Sequence, residues 1–140
     1  MAQEATQAVL ANEQADQRDK RIRTVIVDDS DLMLDCVCTL LELDHRIEIV
    51  GRGTNGLEAL ERVAATQPDL VLMDVNMPIM DGVQTARMLA EHFPETKVIL
   101  MSAIDSPKVR EQCRAVGVDG FARKINFREE FAIALGTILS

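Results

Sequence analysis

Asp69-Leu70-Val71-Leu72-Met73-Asp74-Val75-Asn76-Met77-Pro78 is the stretch whose reading decides the fold. Leu70 to Met73 is a wholly apolar run bounded by Pro68 and Pro78. That is the pattern of a short central strand, covered on both faces of a parallel sheet. The run stops on a carboxylate, Asp74, at the strand's carboxyl end. Ligands bind along that edge in open α/β sheets, so other residues that reach it bear on function.

Upstream, Thr24-Val25-Ile26-Val27 is a β-branched strand ending on Asp28-Asp29. Ser30 or Asp31 can cap the helix that follows, which carries Met33, Val37, Leu40 and Leu41 at helical spacing. Ile47 to Val50 reads as a second strand stopped by Gly51 and Gly53. Asn55 then caps a helix with Leu57, Leu60 and Ala64 facing the core. Downstream, the loop from Val75 to Gly82 leads into a helix burying Val83, Ala86, Leu89, Ala90 and Phe93, halted by Pro94. Val98 to Met101 is a fourth strand ending on Ser102. Ser106-Pro107 is a cap with proline at the first helical position; this helix buries Val109, Cys113 and Val116 and ends at Gly117. Gly120 to Arg123 is a short fifth strand running into Lys124. The last helix places Phe127, Phe131, Leu135 and Ile138 on one face. Five strands alternating with helices predict a (βα)5 doubly wound α/β fold with a parallel sheet, right-handed crossovers and the flavodoxin-like order 2-1-3-4-5.

A chain of 140 residues, 47% hydrophobic and 27% charged, supports one domain with a real core. Residues 1–21 are polar and are expected to form a flexible tail, leaving a domain over 22–140. A net charge of −8 argues against general affinity for nucleic acid or anionic membrane. There is no apolar span of membrane length and no apolar leader segment. Three cysteines, Cys36, Cys38 and Cys113, form no Cys-x-x-Cys pair and read as structural thiols of a reduced, cytoplasmic protein.

In a parallel sheet all strand carboxyl ends share one edge. With order 2-1-3-4-5, Asp28-Asp29, Asp74, Ser102 and Lys124 come from neighbouring strands and should meet in one shallow pocket. Each has an ordinary reading alone: helix caps for Asp28 and Asp29, a turn start for Asp74, a loop hydroxyl for Ser102, a solvated lysine for Lys124. Together they have a chemistry. Three clustered carboxylates repel unless a cation joins them, and hard oxygen ligands suit Mg²⁺. A lysine pairs with Asp74 or with a bound anion, a hydroxyl donates to it, and a carboxylate can act as nucleophile in phosphoryl transfer.

The set resembles the receiver domain of two-component response regulators, from Arg23 to Ser140. The carrying motifs are Val25-Ile26-Val27-Asp28-Asp29-Ser30, Leu72-Met73-Asp74-Val75-Asn76-Met77-Pro78-Ile79-Met80-Asp81-Gly82, Met101-Ser102-Ala103 and Gly120-Phe121-Ala122-Arg123-Lys124. The resemblance implies that Asp74 accepts a phosphoryl group from a sensor histidine kinase, a phosphotransfer protein or a small phosphodonor. It implies Mg²⁺ held by Asp28, Asp29, Asp74 and the backbone carbonyl of Asn76, and Lys124 on the phosphoryl oxygens. It implies a switch in which Ser102 swings to the phosphoryl group and Phe121 follows inward. The face of the fourth helix, fifth strand and fifth helix, with Lys108, Arg110, Arg123 and Arg128 beside Glu111 and Glu129, would be the signalling face and a possible homodimer surface.

Ile125 stands where many receivers have proline, so a cis bond after Lys124 is not assumed. That departure, with Gly120-Phe121-Ala122-Arg123-Lys124 and Ile49-Val50-Gly51, is similar to receivers linked to helix-turn-helix output domains. No such domain lies within these 140 residues, which leaves a single-domain receiver or a piece of a longer protein. Ile104, two positions past Ser102, cannot orient an attacking water, so a long-lived phosphorylated state is expected. Two other classes fit the residues less well. One is a phosphatase of the haloacid-dehalogenase type, whose Asp-x-Asp would have to be Asp74-Val75-Asn76 and lacks the second acid. The other is a receiver fold used only for interaction or dimerisation, which has no need of the complete site.

Overall fold

The computed structural model describes residues 21–140, and the expected tail lies, but for Arg21, outside the described residues. The strands are β1 (Ile22–Val27), β2 (Ile47–Gly53), β3 (Leu70–Asp74), β4 (Lys97–Ser102) and β5 (Gly120–Arg123). The helices are α1 (Asp31–Glu42), α2 (Gly56–Thr66), α3 (Gly82–His92), α4 (Pro107–Val116) and α5 (Phe127–Leu139), with a single 3₁₀ turn at Lys124–Asn126. All strand pairs are parallel and the order is β2-β1-β3-β4-β5. This is the predicted flavodoxin-like arrangement.

All five residues of β3 are buried. Strand side chains alternate between faces, and each face meets its own helices. Leu70 and Leu72 join Ile26, Ile99 and Met101 beneath α1 and α5, where Val37, Leu41, Phe131 and Leu135 close the layer. Val71 and Met73 join Val25, Val27 and Leu100 beneath α2, α3 and α4, with Val63, Leu89 and Cys113. The Phe127 and Phe131 rings stack at 5.4 Å between centroids.

The caps follow the sequence. Ser30, Asn55, Asp81 and Ser106 each accept from a backbone N–H three residues on. Two helices, α1 and α2, are turned from their expected phase, and among its expected core residues α3 departs only at Ala90. In α1 the buried residues are Leu34, Val37, Cys38 and Leu41, while Leu40 is exposed and Met33 only half-buried. The two stripes are equally apolar in sequence, and docking against the sheet chooses between them. In α2, Ala59 and Val63 are buried, Leu60 is half-buried, and Leu57 and Ala64 are exposed. This helix lies close to the sheet at Gly53, where an added Cβ would sit 3.2 Å from the Glu58 Cβ, so the small residue faces inward. In α3, Ala86 and Leu89 are buried as expected, but Ala90 is exposed, Val83 and Phe93 are half-buried, and Thr85 takes an inward place. The Thr85 hydroxyl is satisfied there by donating to the Asp81 carbonyl at 2.8 Å.

β2 does not stop at Gly51. It runs to Gly53 because a register shift at Thr24/Val25 lets it stay paired with β1 past Val50. The Gly53 carbonyl then accepts from the Asp28 N–H at 3.1 Å, fixing the end of β1. The Lys124–Ile125 peptide is trans.

Candidate functional site

Pairing of β1 with β3, β3 with β4 and β4 with β5 sets four strand ends side by side. Asp28 follows β1 and is fully buried; Asp74 closes β3 and is 4% exposed. Lys124 leaves β5 and reaches across both. Its Nζ donates to Asp28 Oδ2 at 2.8 Å and to Asp74 Oδ2 at 3.2 Å. Asp28 Oδ1 accepts from the Ser30 N–H at 3.0 Å, and Asp74 Oδ1 from the Asn76 N–H at 3.2 Å. Each buried carboxylate thus has one oxygen held by a local turn and the other by the same ammonium.

Asp29 stands beside them, exposed. One oxygen from each of Asp28, Asp29 and Asp74 falls within 4.8 Å of the others. Three carboxylates against one ammonium leave an excess of negative charge at a partly buried place. An all-oxygen donor set with that charge, open to water on the Asp29 side, fits a hard divalent cation.

The electrostatics of Asp74 follow from this crowding. Burial, assisted by the Asp28 charge, pushes its carboxyl from 3.8 up to about 6, against the opposing pull of Lys124 and the Asn76 N–H. Burial by itself would lower Lys124. The hydrogen bond to Asp28 and the charges of both carboxylates outweigh it and hold the ammonium above its ordinary range.

Ser102 is fully buried at the end of β4. Its hydroxyl is turned into its own loop, donating to the Ile104 carbonyl at 2.8 Å and accepting from the Ile104 N–H at 3.1 Å. Phe121 is half-buried on β5, with the Arg110 guanidinium 4.8 Å over its ring. Asn76 is exposed in the loop after Asp74.

Asp28, Asp29, Asp74 and Lys124 therefore meet, whereas Ser102 reaches the same edge with its hydroxyl bonded to Ile104 rather than to the cluster. Two features were not anticipated. Lys124 grips Asp28 more closely than Asp74, a pairing across 96 residues of sequence that no local pattern announces. Gly82 is part of the site's frame: its N–H donates to the Val75 carbonyl at 2.8 Å, and a Cβ there would fall on the Asp74 carbonyl oxygen and 2.8 Å from Val75 Cα. The Asp81-Gly82 step at a helix start was the available clue. The loop between carries Ile79 at φ 70, a left-handed conformation uncommon for a β-branched residue.

Among the described residues no helix is long and apolar enough to cross a membrane. Residues 24–135 match the family model of the response regulator receiver domain. The chain is 35% identical over 116 residues to the probable transcriptional regulatory protein NarL of Mycobacterium tuberculosis, covering 83% of this chain and 54% of that protein. It is 37% identical over 101 residues to a protein-glutamate methylesterase/protein-glutamine glutaminase of Syntrophus aciditrophicus, covering 72% of this chain but 29% of that protein. Among solved structures, the signal receiver domain of the putative response regulator NarL from Mycobacterium tuberculosis superposes with a TM-score of 0.79 at 34% identity, over 85% of this chain and 96% of that one. The chain spans about half the length of the transcriptional regulators it matches.

Proposed function

The chain belongs to the response regulator receiver domain family of two-component systems, and from that premise we propose that it is a phosphorylation-dependent switch whose acceptor is Asp74. The observation that carries this reading is Lys124 bonded to both Asp74 and Asp28 at the mouth of a three-carboxylate cluster. Asp74 is ionised above about pH 6 and can then attack the phosphorus of an incoming donor. A bond forms from its carboxylate oxygen to phosphorus as the donor's P–N or P–O bond breaks. The leaving imidazole or carboxylate departs with that electron pair. Lys124 orients the Asp74 carboxylate and offsets charge on the transferring group.

Asp28, Asp29, Asp74 and the Asn76 carbonyl are the groups that would hold Mg²⁺, which when bound supplies further neutralisation of phosphoryl charge. Ser102 would exchange its bonds to Ile104 for one to the phosphoryl oxygen, and Phe121 would move with it, changing the α4-β5-α5 face. The partners of this reading are a sensor histidine kinase or phosphotransfer protein and, through that face, a second copy of the chain. In a longer protein the output would be transcriptional regulation. The domain itself is read as a cytoplasmic, non-enzymatic signalling module that binds neither nucleic acid nor membrane; its net charge of −8 supports the absence of those two anionic partners.

Incubation with Mg²⁺ and acetyl phosphate, followed by intact mass, tests the assignment. One added phosphoryl group is expected on the parent and none on Asp74→Ala. Equal labelling of both proteins overturns the site. No addition to a folded parent favours a receiver fold that acts only through interaction.

Persistence of the label is a second expectation. Ile104 is 59% exposed in the loop that follows Ser102, and its side chain offers no group to orient water. Replacement by Asn should shorten the phosphorylated lifetime several-fold, measured by loss of added mass after removal of the donor. Unchanged decay, or loss from the parent within seconds, would contradict it.

A further inference from the structure

We propose that Arg110 is a positioning residue that ties the loop of Ser102 to the ring of Phe121, so that neither can move without the other. The proposal rests on the switch reading above and adds the element that couples its two halves. Arg110 lies on the outer side of α4, four residues past Ser106, and its guanidinium is occupied twice. Its Nε and Nη2 donate to the two carboxylate oxygens of Asp105, at 2.7 and 3.4 Å. Its Cζ lies 4.8 Å from the centroid of Phe121. One planar group thus bridges the β4–α4 loop and β5.

Asp105 is three residues beyond Ser102, in the same short loop. Ser102 currently spends its hydroxyl on the Ile104 backbone. A swing of Ser102 toward Asp74 breaks that turn and carries the loop with it. Asp105 then either draws Arg110 off the Phe121 ring or releases it, and in the second case the guanidinium loses the carboxylate that fixes it over the ring. Competition for the carboxylate is limited, because the neighbouring cation Arg123 is engaged by Glu130 at 2.7 Å.

The arrangement is poorly explained as a stabilising ion pair. Both side chains are more than a third exposed, 44% for Arg110 and 37% for Asp105, and pairs of that kind contribute little to stability. A cation over an aromatic face at such a site is worth enough to bias a two-state ring about two- to fivefold. Arg110 therefore holds Phe121 in the position it occupies here, and the grip of Asp105 sets how firmly.

The test labels the four phenylalanines with 4-fluorophenylalanine and assigns Phe121 by its loss in Phe121→Leu. Asp105 bears on the Phe121 ring through its bonds to Arg110. Asp105→Asn should therefore displace the Phe121 fluorine resonance in the direction produced by Arg110→Ala, and Arg110→Lys should restore part of the parent position. Both Asp105→Asn and Arg110→Ala should raise the rate of phosphoryl uptake from acetyl phosphate about two- to fivefold. The double variant should go no further than Arg110→Ala alone. Arg87→Ala, an exposed cation on α3, is the control and should change neither signal nor rate. The proposal is overturned if Asp105→Asn leaves the Phe121 resonance unmoved, or if the two substitutions act additively. Should the parent take up no phosphoryl group, the fluorine comparison still decides the coupling, and the failure then belongs to the Asp74 assignment.

Discussion

Replacing Asp74 by Asn is expected to stabilise the protein by about 2–3 kcal/mol at mildly alkaline pH in metal-free buffer, while abolishing phosphoryl uptake. The cause is the crowding at the strand ends. Burial first, and the Asp28 charge after it, raise the Asp74 carboxyl from 3.8 to about 6. The folded protein therefore holds this proton more tightly than the unfolded chain does. Between about pH 4 and about pH 6 the unfolded chain has released it and the folded one has not, so stability falls as pH rises through that window and stays at the lower level above it. Lys124 does not enter this window. Its raised value means that its stabilising bonds persist through neutral pH and are lost only above the lysine range.

An amide at Asp74 removes the titration but keeps the shape, and Lys124 retains Asp28 at 2.8 Å. Urea unfolding of the parent and of Asp74→Asn, on either side of the window and with chelator present, measures the difference. Other carboxylates titrate in both proteins and cancel. The advantage of the variant should appear only on the alkaline side, and Mg²⁺ should restore the parent without affecting Asp74→Asn. A difference independent of pH would refute the account. If it holds, the acceptor site is kept at a cost in stability, as expected where chemistry needs a buried carboxylate with a raised pKa.

Gly82→Ala is expected to lower stability by about 3 kcal/mol and to slow phosphoryl uptake. The added Cβ would strike the Asp74 carbonyl oxygen and lie 2.8 Å from Val75 Cα. Backbone opposes backbone here, so no side-chain rotation relieves the clash. Either α3 backs away from β3 or the end of β3 shifts, and the second moves the acceptor relative to Lys124. Gly136→Ala supplies the contrast. It sits in α5 with nothing within 4 Å of an added Cβ, and there alanine should stabilise by up to about 1 kcal/mol through helix propensity. Thermal unfolding of both variants, with acetyl phosphate labelling alongside, distinguishes strain at the site from a general intolerance of glycine replacement. A Gly82→Ala protein as stable and as reactive as the parent would show that the strand end is softer than its packing implies.

Much of this molecule is legible before any coordinate is known. The apolar run Leu70–Met73 between prolines, the β-branched Thr24–Val27 and the caps at Ser30, Asn55 and Ser106 each act over a few residues. They specify strand or helix by local backbone preference and by the period at which apolar side chains recur. The alternation of these elements implies a parallel sheet. A parallel sheet places Asp28, Asp74, Ser102 and Lys124 on one edge without reference to any distance. What local pattern does not contain is phase and reach. Val37 and Leu41 belong to the buried face either way, but Leu34 and Cys38 compete with Met33 and Leu40 for the rest of it, and only docking against the sheet selects the first pair. The need for glycine at Gly82 arises from a strand end eight residues earlier in the chain. Asp105, Arg110 and Phe121 meet because β5 lies beside β4 in a particular register, and Lys124 bridges Asp28 and Asp74 across 96 and 50 residues. The sequence by itself determined the elements, their order and the edge where chemistry gathers, because those follow from short-range preference and periodicity. The tertiary structure alone decided which charges touch and which side chains are coupled, because contacts between distant residues depend on strand register and helix rotation.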